Sequence, residues 1–341
     1  MPPGLPQPPT ARPIDPDVPA PLHPAHHGWI HPDLRFAQTS LPAPAACLLQ
    51  TLGLLAAAYA VVPVAQICQS LGTWWPAAVW SLMLALLLRS SLPRSARGTA
   101  LTALLLGLLS LPYAAGWTID WAASMQDPAD SSIHLLAMVA IGHACAGLAC
   151  LLVHRAGGGM WSGLGVRRWA WSTDLPQSAL AVGVCYLAML ASLFILAASL
   201  GLWYLLDPSG PARAMDSMAE QRLGAIGQFV GPGLLEMALL MSLVAFGEEL
   251  LFRSILLGRL ARLTGRWWLT VGLAASVFAV GHGYQGSFAI VQTGLLALAL
   301  SILYLRTARV WPLVVAHALF NVINLSAASL ALDTLGPAEP T

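Results

Sequence analysis

The chain alternates between long apolar runs and short polar connections. Nine runs follow residue 42, at 43–69, 74–88, 98–117, 133–154, 177–206, 229–258, 267–285, 288–306 and 309–330. A helix of about 20 apolar residues crosses the hydrocarbon core of a bilayer, so each run is read as a membrane helix. The predicted fold is therefore all-α: a polytopic integral membrane protein with about eight to nine transmembrane helices. The second run is short and the fifth and sixth are long, which leaves the count as a range.

The polar connections orient this arrangement. With the N-terminus cytoplasmic, the connections carrying Arg89, Arg94 and Arg97, Arg155, Arg167 and Arg168, Arg259, Arg262 and Arg266, and Arg306 and Arg309 all lie inside. The outer loops then hold only Arg213 and Arg222, beside Asp120, Asp127, Asp130, Asp207, Asp216 and Glu220. The positive-inside rule is satisfied by this single topology, with the C-terminus outside.

Composition agrees. Of 341 residues, 57% are hydrophobic and 9% charged, where soluble domains carry about 25% charged residues. A net charge of +1 with no basic patch gives nucleic acid nothing to bind. The five cysteines, Cys47, Cys68, Cys145, Cys150 and Cys185, fall within the apolar runs without metal-ligand spacing and read as small core residues.

Five regions follow. Residues 1–42 form a Pro-rich tail, expected to be disordered, in which His23, His26, His27 and His31 lack any rigid ligand geometry. Residues 43–154 are N-terminal transmembrane helices with a scaffold role, whose one ionisable group at depth is His143, set among small residues and read as bonded to a neighbouring helix. Residues 155–228 hold an interfacial segment anchored by tryptophans and arginines, a transmembrane helix and an outer loop. In that loop Ser217-Met-Ala-Glu220 has the spacing of a capping box opening a short surface helix. Residues 229–330 carry the candidate chemistry, and 331–341 are a C-terminal tail.

That chemistry centres on Leu243-Val-Ala-Phe-Gly-Glu-Glu-Leu-Leu-Phe-Arg253. Charges at bilayer depth cost roughly 2.5–3.5 kcal/mol each and are paired or functional. Glu249 and Arg253 are i,i+4 neighbours and can pair on one helix face; Glu248, about 100° around, is left free for proton chemistry. Alone, the three also suit a structural ion pair between helices.

Further polar groups lie at comparable depth: His282 in Phe278-Ala-Val-Gly-His282, and His317 with Asn321 in His317-Ala-Leu-Phe-Asn321. At 1.5 Å per residue from the cytoplasmic ends, Glu248 lies roughly 15 Å in, His317 and Asn321 roughly 10–18 Å, and His282 nearer 20 Å. Glu248 and His282 could activate a water while His317 and Asn321 donate to a tetrahedral oxyanion, which is the chemistry of peptide hydrolysis. Glu248, His282 and His317 could equally be three ligands of Zn²⁺ with water in the open position.

Glu248-Glu249-xxx-Arg253, Phe278-xxx-His282 and His317-xxx-Asn321, in that order, resemble the CPBP family, also called Abi or CAAX-protease/bacteriocin-processing intramembrane endopeptidases, which includes the type II CAAX prenyl endopeptidase. The resemblance covers roughly residues 230–328. It implies an intramembrane endopeptidase in which Glu248 and His282 activate the water, His317 and Asn321 form the oxyanion site, and Glu249 and Arg253 support them. The favoured version is free of metal, because Asn321 is a poor zinc ligand and a good oxyanion donor; a zinc-dependent version is the alternative. The implied partners are the lipid bilayer and a membrane-embedded or membrane-anchored peptide substrate, and the implied location is a bacterial plasma membrane. A non-catalytic scaffold or immunity-type membrane protein is the reading from a different class.

Overall fold

The computed structural model of the protein describes residues 30, 31, 34, 44–89, 92, 96–118, 128–156, 161–227, 229 and 233–335. Among the described residues the regular elements are helices: α1 (Pro44–Tyr59), α2 (Val61–Ser70), α3 (Trp75–Arg89), α4 (Ala96–Thr118), α5 (Pro128–Ala156) and α6 (Trp171–Tyr204). Then come α7 (Gly210–Gly227), α8 (Leu234–Glu249), α9 (Leu257–Thr264), α10 (Trp267–Gly281), α11 (Ser287–Thr307) and α12 (Trp311–Leu335). A π-helix, Leu250–Leu256, joins α8 to α9, and 3-10 turns occupy Trp161–Leu164 and Gly283–Gln285.

Each of the nine apolar runs contains helix. Among the described residues, five helices are long and apolar enough to cross a membrane, six when the bent pair α1–α2 counts as one span. The helices α3 and α10 are apolar but shorter, and α8 is interrupted by the π-helix. Large apolar side chains on α6, among them Leu187, Leu190 and Phe194, point outward. In a bilayer that is the surface lipid covers, while helices satisfy their own backbone groups. The protein is an all-α integral membrane protein.

Four departures from the sequence reading follow. The run 43–69 is two helices meeting at 59° rather than one. Pro63 lacks an N–H and its ring crowds the carbonyl of Tyr59, four residues earlier, so the break falls at Ala60. Ser217–Glu220 lies inside α7, which begins at Gly210, so it opens no helix. Within the segment expected to be a disordered tail, Ile30 and Leu34 are buried, and the His31 N–H donates to the Leu305 carbonyl at 2.8 Å. His23, His26 and His27 lie outside the described residues. At the other terminus α12 continues to Leu335, past the expected limit at 330.

The interfacial segment is a strap across one end of the bundle. Gly165, at φ 70°, has its backbone against Ala308 and Tyr304, where an added Cβ would come within 2.9 Å of the tyrosine ring. Only glycine takes that conformation in that space without strain. From there the Gly165 carbonyl accepts the Val310 N–H at 3.1 Å, and the Leu164 carbonyl accepts the Ser254 hydroxyl at 2.7 Å. Asp174 accepts the Ala170 N–H at 2.6 Å, satisfying an open donor at the start of α6, and is clamped from outside by the Arg309 guanidinium. The indole of Trp311 donates to the Arg167 carbonyl at 2.7 Å. The turn that launches α12 is thereby fixed to the start of α6.

Within the bundle α8 is central. It packs against α5 on one side and α12 on the other, while α12 packs on α6, α6 on α11, and α11 on α10.

Candidate active site

The site begins where α5 crosses α8. A Cβ on Gly247 would fall 2.0 Å from the His143 carbonyl oxygen, and one on Gly147 would fall 3.1 Å from the Gly247 Cα. Small residues on both helices let the backbones touch. That contact sets His143 itself beside the residue after Gly247, leaving His143 Nε2 3.5 Å from Glu248 Oε1.

Two other helices bring imidazoles to the same carboxylate. His282 ends α10, where its N–H still bonds the Ala279 carbonyl at 3.0 Å, and its Nε2 lies 3.9 Å from Glu248 Oε1. His317 on α12 places Nε2 3.5 Å from Glu248 Oε2. The structure thus joins Glu248, His282 and His317 in one buried cluster, although helix rise alone put His282 deeper than its partners. Asn321 sits one turn after His317, half-buried, and makes no hydrogen bond among the described residues.

The orientation of each ring is fixed from behind. His143 Nδ1 bonds the Val139 carbonyl at 2.8 Å, and His282 Nδ1 bonds the Phe278 carbonyl at 2.9 Å. A carbonyl only accepts, so both rings carry their hydrogen on Nδ1 and, when neutral, turn an Nε2 lone pair toward Glu248. His317 Nδ1 bonds Glu249 Oε1 at 2.7 Å. Glu249 in turn pairs with Arg253, Oε2 to Nε 3.2 Å, both fully buried, the i,i+4 pair expected from the sequence. The Arg253 guanidinium lies over the Phe278 ring at 4.9 Å, a cation–π contact, and Phe278 also packs on His282 at 4.5 Å between ring centroids.

Two members of the cluster come from the part read as scaffold. One is His143. The other is Tyr59, the last residue of α1 before the bend, which meets the His143 ring edge-on at 5.7 Å. Its phenol rests against Gly281, where a Cβ would come within 3.2 Å of the hydroxyl, and that hydroxyl is buried with no hydrogen-bond partner among the described residues. His143 had a sequence signal, an imidazole at depth among glycines and alanines. Tyr59 had none.

Chemically, three imidazole lone pairs and a carboxylate converge, and all of them accept. A donor must stand among them to reconcile their charge, whether water or an added proton. Backbone-anchored Nδ1 atoms with free Nε2 atoms also suit a divalent metal. The spacing is a separate matter: among the described residues no three His, Cys, Asp or Glu side chains form a group able to hold one ion.

Residues 230–323 match the family described as type II CAAX prenyl endopeptidase Rce1-like. This segment is Rce1-like. No curated protein and no solved structure matches the chain. The Rce1-like match agrees with the motif resemblance and supports intramembrane endopeptidase as the general activity class, a hydrolase of the membrane. Glu248, Glu249, Arg253, His282, His317 and Asn321 all lie inside the Rce1-like segment, whereas Tyr59 and His143 precede it.

Proposed function

We propose that the protein hydrolyses a peptide bond in a membrane-embedded or membrane-anchored substrate, with Glu248 as the general base. The observation that carries the reading is the convergence of three Nε2 atoms on the Glu248 carboxylate, at 3.5, 3.9 and 3.5 Å, inside the bundle. Glu248 takes a proton from water held with His282, and the oxygen attacks the scissile carbonyl. As the C–N bond breaks, the same proton passes to the leaving amine. His317 and Asn321 donate to the oxyanion formed between these steps. Because His317 Nδ1–H is committed to Glu249, the donating ring is the doubly protonated form, and Glu249 supplies its counter-charge. Arg253 holds Glu249 in place. His143 is added to this set as a third ring facing the base.

A zinc-dependent version of the same protease is the second reading, favoured by the free Nε2 atoms. It would draw on Glu248, His282 and His317. The described side chains do not group as ligands of one ion, so no step is assigned to a metal.

The test is cleavage by the purified chain of a farnesylated CAAX peptide and a panel of membrane-anchored peptides, for wild type, Glu248→Gln and His282→Ala, with and without stringent chelation. Cleavage lost in both variants and untouched by chelation is the expected result. Loss on chelation with recovery on added zinc transfers the reading to the metal version. Equal behaviour of wild type and Glu248→Gln on every substrate would leave a membrane scaffold in place of the protease.

A further inference from the structure

Tyr59 brings to the cluster a donor that the reaction above does not use. It closes α1 at the bend, and Val61, the first residue of α2, seats that bend on α5. A Cβ on Gly142, the residue before His143, would lie 2.6 Å from a Val61 methyl group. The phenol ring is held on three sides. It meets the His143 ring edge-on at 5.7 Å and the Phe252 ring edge-on at 6.1 Å, and its hydroxyl edge rests on Gly281, the residue before His282. A methyl group on Gly281 would stand 2.8 Å from the tyrosine Cε1 and 3.0 Å from its Cζ, so a larger residue there would push the phenol away.

The two histidines beside this phenol share one oxygen. His143 Nε2 and His282 Nε2 face Glu248 Oε1 at 3.5 and 3.9 Å, and Glu248 is foremost among the charges acting on Tyr59. A gap of 3.9 Å is too long for a direct hydrogen bond and suits one bridging water. His282 spends its Nδ1–H on the Phe278 carbonyl, so its Nε2 accepts, as the carboxylate does. A water between them therefore gives away both hydrogens. Of its lone pairs, one must point at the scissile carbonyl and the other calls for a donor. The neutral His143 ring offers Nε2 only as a further acceptor, because its hydrogen is on Nδ1. The Tyr59 hydroxyl is a donor, is buried, and has no hydrogen-bond partner among the described residues. A buried hydroxyl left unpaired is costly, so it completes its bonding with water or substrate.

We propose that Tyr59 is a catalytic residue: its hydroxyl donates a hydrogen bond to the attacking water and so fixes which lone pair faces the scissile carbonyl. The inference rests on the protease reading and deepens it by adding a residue from outside the Rce1-like segment. No proton leaves the phenol. The water's proton goes to Glu248, its oxygen forms the bond to the carbonyl carbon, and Tyr59 holds that oxygen throughout. As the water loses its proton the oxygen gains negative charge, which strengthens the Tyr59 bond in the transition state.

The experiment compares the full chain as wild type and as Tyr59→Phe. It reads kcat and KM on a peptide that wild type cleaves, thermal unfolding, and crystal structures of both chains that show ordered water. The expected result is a fall in kcat of about tenfold to a hundredfold, the worth of a hydrogen bond to a group gaining charge, with KM unchanged. The unfolding midpoint holds or rises, because phenylalanine removes a hydroxyl with no partner among the described residues. In wild type a water sits within hydrogen-bond reach of the Tyr59 hydroxyl, Glu248 and His282, and in the variant it is lost or displaced. Wild-type kcat in Tyr59→Phe overturns the inference. A raised KM at full kcat does the same, because the hydroxyl then binds substrate. So does a lowered midpoint with activity lost alongside it, since the hydroxyl then holds the fold. A fall in kcat with no such water in wild type moves the donor to the oxyanion and also overturns the assignment. Each of these leaves the Glu248 protease standing. If wild type cleaves nothing, the protease reading fails by itself and the crystal structures decide. Water on all three groups, lost in the variant, upholds the hydroxyl's hold on it, and no water there overturns it.

Discussion

Glu249 Oε1 lies 2.7 Å from His317 Nδ1, joining α8 to α12 through one buried hydrogen bond while the other carboxylate oxygen faces Arg253. One side chain thus aims a ring and neutralises a cation. Glu249→Gln keeps an acceptor for the ring and leaves Arg253 without charge compensation. Removing one partner of a buried pair costs about 3–5 kcal/mol. The expected outcome is a large fall in thermal stability together with lost cleavage. Adding Arg253→Met should restore most of the stability and not the activity, measured by thermal unfolding in detergent and by kcat.

His143→Ala should reduce kcat by roughly a hundredfold to ten-thousandfold, the range for loss of a group taking part in proton chemistry. The chain should remain folded, since the imidazole's Nδ1 bond is to its own helix. A variant that turns over at the wild-type rate would return residues 43–154 to a scaffold role.

The crossing of α5 and α8 predicts a contrast between two glycines. Gly247→Ala would drive a methyl group into the His143 carbonyl and should destabilise by about 1–3 kcal/mol or more, with loss of activity as Glu248 and His143 separate. Gly272→Ala on α10, where nothing lies within 4 Å of the new methyl, should be neutral or stabilise by about 0.5–1 kcal/mol. Thermal unfolding of the pair checks the difference.

Asp174 is fully buried under the Arg309 guanidinium at the strap. Asp174→Asn should cost about 3–5 kcal/mol because it strands that cation. Replacing both residues with apolar ones of similar volume should recover most of the loss in the same unfolding measurement.

Much of this architecture was legible because its signals are local. Apolar runs mark helices whatever their packing, and Glu249 with Arg253 needs only helical periodicity to pair. His282 and His317 stood out as polar groups where polarity is costly. The rest depends on contacts between distant segments. Tyr59 reaches the cluster through a proline bend and a space left by Gly281, and His143 arrives through a glycine crossing that its own sequence neighbourhood only hints at. The strap read as a lipid anchor, and its hydrogen bonds to the α11–α12 turn have no signature in spacing.

The π-helix Leu250–Leu256 sets how this protein tolerates change. With its wider turn, the seven-residue stretch sweeps roughly the rotation of six α-helical residues at about 100° each, so it carries one extra residue while Glu248 and Glu249 stay in register with the helix that follows. All seven side chains are buried, so its aliphatic members exchange only for others of like volume. Arg253 and Ser254, held by Glu249 and the Leu164 carbonyl, do not exchange at all.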